Sequence, residues 1–338
     1  MKSIPPSIFS SCSIASFLPV RAAWCGALAV LACSHVLAQP DSYPSKPITI
    51  VVGYPAGGST DLTGRVLGVE LSRRLGVPVV IDNVGGAGGA IGAQKVANAA
   101  ADGYTLLVGA SNEIAISRLV SSAVKYEIKD FTPIGLIAAQ PMVLVASQKS
   151  GVKTVEQFLR QVSQNPGKFS YGSSGVGTAL HLAGEMVKDQ GGLFMTHIPY
   201  RGVAPLANDL LGNNIDFGVF VMSSGLPHIR SGKVVALGTT EARRSPLTAD
   251  IPALAETPKL KGIDINIWFA LMGPARMPEA VVAKLKKALS DSLQTAELRK
   301  KLEDSGSTVS PLNVDMPDFL KKETAKYQRI VDFAKIKE

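Results

Sequence analysis

The sequence predicts an α/β protein of two α/β lobes joined by two extended crossing strands. Three observations lead there. From Pro47 onward, short β-branched runs alternate with segments of helical periodicity. That alternation is interrupted by an apolar extended run, Met142 to Ser147, and then begins again after Gly151. A second apolar run, Ile265 to Gly273, closes the second set, and only helical patterns follow it.

In order, the first set reads as a strand over Ile48 to Val52, a helix over Leu62 to Leu75, and a strand over Val77 to Ile81. A helix over Ile91 to Ala100 and a strand over Tyr104 to Gly109 complete it. This βαβαβ order implies a parallel sheet covered by helices. The second set has helices over Thr154 to Gln164, Thr178 to Gln190 and Ala204 to Leu211, alternating with strands over Phe169 to Gly172, Thr196 to Pro199 and Asp216 to Val221. Two amphipathic helices, Glu279 to Leu302 and Met316 to Ala334, end the chain, with Val282, Leu285, Leu289 and Leu293 on the apolar face of the first. Bringing no strands of their own, they are expected to pack back on the first sheet. No repeat of fixed period and no low-complexity linker occurs, so two compact hinges join the lobes. The expected division is 41–145 plus 268–338 for the first lobe and 146–267 for the second.

The first forty residues differ from the rest. Lys2 and Arg21 are the only charges before Asp41, and Ala22 to Ala38 is apolar except for Ser34 and His35. The apolar core is shorter than the roughly 20 residues of a membrane span and ends in Val36-Leu37-Ala38, a small-residue cleavage pattern. A signal peptide over 1–38, cleaved after Ala38, is expected, which places the mature chain in the periplasm. The rival readings are an uncleaved anchor and lipoprotein processing before Cys33, where Val30-Leu31-Ala32-Cys33 loosely matches a lipobox. The stretch before Arg21 is long for a leader's basic end, which leaves a start codon further downstream as an alternative.

Cys12, Cys25 and Cys33, the three cysteines, all fall in this leader, so the mature chain forms no disulfide and no thiolate metal site. Removing the leader lowers the formal net charge from +8 to +6. The basic pairs Arg73-Arg74, Arg243-Arg244, Lys286-Lys287 and Lys321-Lys322 are scattered and not interleaved with aromatics, which argues against nucleic acid as a partner. A mild positive field favours anionic solutes.

Three glycine-rich turns sit where a strand gives way to a helix. In Tyr54-Pro55-Ala56-Gly57-Gly58-Ser59-Thr60-Asp61, the glycines allow close backbone approach, and Ser59, Thr60 or Asp61 is placed to cap the helix. The unbonded amides of the first turn suit a carboxylate. An ordinary tight turn is the competing reading, and Asp61 is more often a cap than a ligand contact. The second turn, Asp82 to Gly92, contains Gly88 and Gly89 and would face the same crevice at the carboxyl edge of the sheet. It is not a dinucleotide fingerprint, because Ile91 stands where the spacing requires glycine, and no phosphate-loop lysine occurs. The third, Tyr171-Gly172-Ser173-Ser174-Gly175-Val176-Gly177-Thr178, leads into a helix carrying His181 and fails the nucleophile-elbow pattern at Val176. His181, flanked by Leu180 and Leu182, reads more readily as half-buried and bonded to backbone than as a ligand contact. His197 and His228 show no metal-ligand spacing, so no metal and no cofactor is expected. Arg201, just past a strand end, suits bidentate binding of a carboxylate or, equally, a surface salt bridge.

These motifs, in this order, resemble the Bug family, the extracytoplasmic receptors of tripartite tricarboxylate transporters. The likeness is nearly full-length. It runs from Tyr43-Pro44-Ser45-Lys46-Pro47-Ile48 through the first two glycine turns, Asp102-Gly103-Tyr104-Thr105-Leu106-Leu107 and Asp130-Phe131-Thr132-Pro133-Ile134 to the third turn. It continues through His181-Leu182-Ala183-Gly184-Glu185, Pro199-Tyr200-Arg201-Gly202, Leu226-Pro227-His228-Ile229, Arg244-Ser245-Pro246 and Trp268. The resemblance implies a type II periplasmic-binding-protein fold that closes on a dicarboxylate, an amino-acid carboxylate or an aromatic acid, held at one end by the two turns of the first lobe, partly through water. It carries over ligand contact to Tyr54, Gly58, Ser59, Thr60, Asp61, Gly88 and Gly89, with Ser111 a weaker addition. Ser173, Ser174, Thr178, His181, Arg201 and Ala204 face them. It further implies a monomer serving membrane transporter subunits, or alternatively a signalling partner; an enzyme would need a nucleophile paired with a base, or a cofactor motif, and the sequence offers neither. Two departures stand out: Val84-Gly85 where relatives often read Arg-Pro, and Phe220-Val221 where they often read Asp-Asn. The second suggests a less polar far end of the pocket, with a preference for apolar or aromatic acids.

Overall fold

A computed structural model describes residues 43–336, so the expected leader lies outside the described residues. The chain begins with β1 (Ile48–Val52), α1 (Ser59–Leu75), β2 (Val79–Asn83), α2 (Ala90–Ala97) and β3 (Thr105–Ala110). β1 pairs in parallel with β2 on one side and β3 on the other, as the βαβαβ pattern requires. α1 ends at Gly76, whose left-handed backbone (φ 72°) lets its N–H return to Ser72 O, a turn that glycine adopts without strain. A π-helical segment, Asn112–Ile116, then runs into α3 (Ser117–Val120).

The fold turns on β4 (Phe131–Ser147), a 17-residue strand. Phe131 to Pro141 pairs with β9 (Asn266–Pro274), which itself pairs antiparallel with β3 and so belongs to the first sheet. Met142 to Ser147 pairs instead with β7 (Phe217–Val221) and β8 (Val234–Thr239). Between these lie α4 (Val155–Gln164), β5 (Ser170–Ser173), α5 (Ala179–Gly191), β6 (Thr196–Pro199), α6 (Val203–Leu211) and, after β7, α7 (Met222–Arg230). β5 is parallel to both β6 and β7, so the second set is also an α/β unit. The return to the first sheet runs beside β4. Thr240 N donates to Met142 O at 2.9 Å and Ile265 N to Thr240 O at 3.0 Å, while the buried Thr240 hydroxyl donates to Ile265 O at 2.6 Å.

The chain ends with α8 (Glu279–Leu293), α9 (Ala296–Asp304), β10 (Thr308–Val309) and α10 (Met316–Ala334). Two expectations are corrected here. The helix read over Glu279 to Leu302 is two helices, because Thr295 is extended (ψ 124°) and starts a new one. The tail also brings a strand, β10, which pairs with Ala138 and Ala139 of β4. Its helices do reach the first sheet, through α8 and α10 on β4, but α10 also packs on α5 of the second unit. The main apolar core runs through both sheets; a smaller one, with Val143, Leu206, Leu210, Phe220 and Leu226, lies on the other side of β7. Each large side chain buried there is worth roughly 1.5–3 kcal/mol.

Candidate functional site

The first two glycine turns meet at the carboxyl edge of the first sheet. A Cβ on Gly53 would stand 2.8 Å from the Gly89 Cα, and one on Gly92 2.9 Å from the Gly53 Cα. Only glycine permits this backbone contact. Gly86, Gly88 and Gly89 all have positive φ (132°, 61° and 96°), a conformation that other residues adopt only with strain.

α1 starts at Ser59 with Gly58 as its N-cap and no side-chain cap, so none of Ser59, Thr60 and Asp61 caps it. The first-turn amides have no acceptor within the helix. Asp61 is instead the hub of a buried network. Its Oδ2 accepts from Gly57 N at 2.8 Å and Arg65 Nε at 2.9 Å, and its Oδ1 from Asn83 Nδ2 at 2.9 Å. Burial alone would raise the Asp61 carboxyl, but Arg65, Gly57 N–H and Asn83 outweigh it and hold the pKa below the ordinary value.

Behind the second turn, Tyr54 meets two residues that the sequence reading passed over, Asn112 and Glu113. The Tyr54 hydroxyl oxygen is 2.8 Å from Gly88 O and 2.8 Å from Glu113 Oε2, and it accepts from Asn112 Nδ2 at 3.0 Å. Glu113 Oε1 accepts from Ala110 N at 2.7 Å. Glu113 is fully buried, and burial raises its carboxyl to about 7. The available signal was a lone acid, Glu113, directly before the apolar run Ile114-Ala115-Ile116. Ser111, beside it, is sealed, and its hydroxyl has no hydrogen-bond partner among the described residues.

The third turn is tied to the following strand by Tyr200 N to Ser173 O (3.0 Å) and Gly202 N to Ser174 O (3.2 Å). It also touches the first unit: Asn112 Oδ1 accepts from Ala179 N, the first amide of α5, at 2.8 Å. A Cβ on Gly177 would stand 2.5 Å from Val120. Thr178 caps α5 by accepting from His181 N, and His181 Nδ1 accepts from Gly177 N at 3.0 Å. His181 is thus buried and bonded to backbone. Its ring stacks on His197, with centroids 3.9 Å apart.

Ser173 Oγ lies 2.7 Å from His197 Nε2, the spacing of a nucleophile and its base. Yet Ser173 is 0 % exposed, and burial, then His181, push His197 down to about 3. So weak a base has too little proton affinity to activate a hydroxyl near neutral pH. The pair holds the turn.

Of the fourteen residues expected at the site, Tyr54, Gly58, Ser59, Thr60, Asp61, Gly88 and Gly89 gather at the first edge, with Ser111 beneath them. Ser173, Ser174, Thr178, His181, Arg201 and Ala204 lie on the second unit's turns. Thr60, Asp61, Ser111, Ser173, Thr178 and His181 have buried side chains. Ser59 and Ser174 are half-buried; Arg201 and Ala204 are exposed, and Arg201 makes no ion pair among the described residues. Phe220 is 2 % exposed within the smaller core and Val221 is sealed in the main one, so neither presents its side chain to the cleft. Those substitutions therefore lend no direct support to a less polar far end. No group of three or more metal-ligating side chains is found among the described residues.

Residues 63–336 match the family described as tripartite tricarboxylate transporter family receptor. The chain belongs to that family. Protein BugT of Bordetella pertussis is 33% identical over 270 residues, 79% of this chain and 82% of BugT. Among solved structures, the periplasmic binding protein BugD is 32% identical with a TM-score of 0.80, covering 87% of this chain and 99% of BugD. Rpa4515 of Rhodopseudomonas palustris with adipate is 30% identical with a TM-score of 0.83, over 87% of this chain and 99% of that one. MatC from the same organism, with bound malate, is 28% identical with a TM-score of 0.79, over 86% and 100%. This receptor thus has the two-lobed fold of periplasmic binding proteins. It is a solute-binding protein of the Bug kind and not an enzyme, consistent with the inert Ser173–His197 pair.

Proposed function

We propose that this receptor captures a small organic carboxylate between its lobes and delivers it, as a monomer, to the membrane subunits of a tripartite tricarboxylate transporter. The observation that carries the reading is the backbone contact of Gly53 with Gly89 and Gly92, which sets the start of α2 against the turn that leads into α1, whose first-turn amides have no acceptor within the helix. The exposed, unpaired Arg201 supplies a charge for the ligand from the second lobe. The similar proteins bound to adipate and malate favour a dicarboxylate over an amino-acid or aromatic acid. The lobes divide where β4 changes partner, between Pro141 and Met142, and again between Thr240 and Ile265. The leader, residues 1–38, is removed on export to the periplasm.

Calorimetric titration of the purified protein with malate, adipate, benzoate and aspartate tests this. Binding of at least one acid is expected, with affinity reduced about tenfold in Arg201→Ala, the loss of one charged hydrogen bond. The Ser59 hydroxyl makes no hydrogen bond among the described residues, so Ser59→Ala is expected to weaken binding without moving the melting temperature. Failure of every acid to bind, or equal affinity in the wild type and both variants, overturns the site.

A further inference from the structure

Glu113 is a buried acid that the carboxylate clamp does not explain, and the atoms around it determine its protonation. Asn112 can be oriented in only one way, because its side-chain oxygen takes the Ala179 N–H at 2.8 Å. Its amide nitrogen therefore faces Tyr54 and donates to the phenol oxygen at 3.0 Å. The phenol has one hydrogen of its own and two further neighbours at 2.8 Å, Gly88 O and Glu113 Oε2. Gly88 O has no hydrogen to offer. If Glu113 is ionised, two acceptors compete for one phenolic hydrogen, and one contact becomes an oxygen–oxygen repulsion at 2.8 Å. If Oε2 carries a proton, every contact is satisfied: Glu113 donates to Tyr54, Tyr54 donates to Gly88 O, and Oε1 still accepts from Ala110 N.

We propose that Glu113 is a positioning residue which must hold a proton for Tyr54 to anchor the Gly86–Gly89 turn, so that carboxylate capture is linked to protonation of Glu113. The inference rests on the reading of that turn as part of the ligand clamp. The chain of bonds from Gly88 O through Tyr54 and Asn112 to Ala179 N also joins the turn to the start of α5 in the other lobe. The titratable groups facing Glu113 are Tyr54 and Tyr126, whose hydroxyl donates to the Glu113 main-chain oxygen at 2.6 Å. From α10, packed on the same segment, Tyr327 is the buried titratable group. No charged group enters the environment that sets the Glu113 carboxyl. Burial raises that carboxyl to about 7, so its titration falls near neutral pH, and burial keeps the Tyr54 phenol protonated throughout.

The test is titration calorimetry of the full-length mature protein with malate and adipate between about pH 6 and pH 8.5, a range in which side-chain carboxyls of ordinary pKa are already ionised. Repeating it in buffers of different ionisation heat counts the protons taken up. Wild-type affinity is expected to fall with pH, approaching about tenfold per pH unit above the Glu113 pKa, with net proton uptake there. Glu113→Gln, whose amide donates to Tyr54 as the protonated acid does, is expected to bind as tightly as the wild type at low pH and to lose the pH dependence. Tyr54→Phe should bind more weakly at every pH, also with a flat profile, and it decides the matter if the glutamine variant does not fold. An equal pH slope in the wild type and these variants overturns the proton link. So does a flat wild-type profile with good binding, which leaves the carboxylate reading intact; failure of the wild type to bind either acid at any pH removes both.

Discussion

Replacing Asp61 by alanine separates a structural role from a ligand contact. Read as a helix cap, the side chain would contribute about 1 kcal/mol. The structure gives it three donors, Gly57 N, Arg65 Nε and Asn83 Nδ2, at 2.8–2.9 Å around a carboxylate that is 2 % exposed. Hydrogen bonds to a charged group contribute about 1.5–3 kcal/mol each. The Arg65 side chain is 52% exposed and finds water when its partner is removed, so its share is discounted. The other two leave a loss of about 3 kcal/mol, or a fall in melting temperature of roughly 5 °C for a chain of about 300 residues. The carboxyl is held below its ordinary pKa, so its stabilisation is fully present above that value, near about 4, and is lost as pH falls through the folded-state pKa. Circular-dichroism melts of the wild type and Asp61→Ala should therefore differ most near neutral pH and converge in acid. An alanine variant melting within about 2 °C of the wild type at pH 7 would refute the network.

Gly89→Ala places a methyl 2.8 Å from Glu113 Oε2 and 3.0 Å from the Tyr54 hydroxyl at a backbone φ of 96°. With about 1–3 kcal/mol of backbone strain added, the second turn should be displaced, and calorimetry should show ligand affinity lost while the far-ultraviolet spectrum stays native. Glu185 is opposed by burial but held down to about 2 by His181, Lys188 and Tyr171. A depressed carboxyl stabilises above its ordinary pKa and loses this as pH falls, so Glu185→Gln should lower the melting temperature at pH 7 and match the wild type near pH 2. A difference that persists in acid would assign the effect to packing.

What the sequence revealed was local. β1, β2, β3 and their helices carry their periodicity within a dozen residues, and the glycine turns stand directly after strands, so the meeting of the first two turns at one sheet edge was readable. β4 was half missed because Pro133, Gly135 and Pro141 are signals against a strand. The structure accommodates the first two with register shifts at Pro133/Gly135 and Leu136/Ala138. Nor could the sequence show which polar side chains of the turns are spent internally. Ser173 was expected to face the ligand, but its hydroxyl is taken by His197, 24 residues away. Asn112 and Ala179 are 67 residues apart, and no local pattern announces their bond.

The same contacts indicate where the cleft should open. On the hinge side, β4 runs unbroken through both sheets, and Thr240 ties it to the returning segment through Met142 O and both polar groups of Ile265. Separating the lobes there would break several buried backbone bonds at once, each leaving a donor or acceptor unsatisfied at about 1–3 kcal/mol. On the cleft side, Asn112 Oδ1 accepts from Ala179 N across the units, backed by Val120 against Gly177. When the cleft opens, water can take over both ends of that bond, so its net cost is only about 1 kcal/mol. Opening is therefore expected to pivot about the Met142–Thr240–Ile265 stitch and to part first at Asn112, the residue that also holds Tyr54 in register with Gly88. A ligand that keeps the second turn in place thus favours the closed receptor without contacting the hinge.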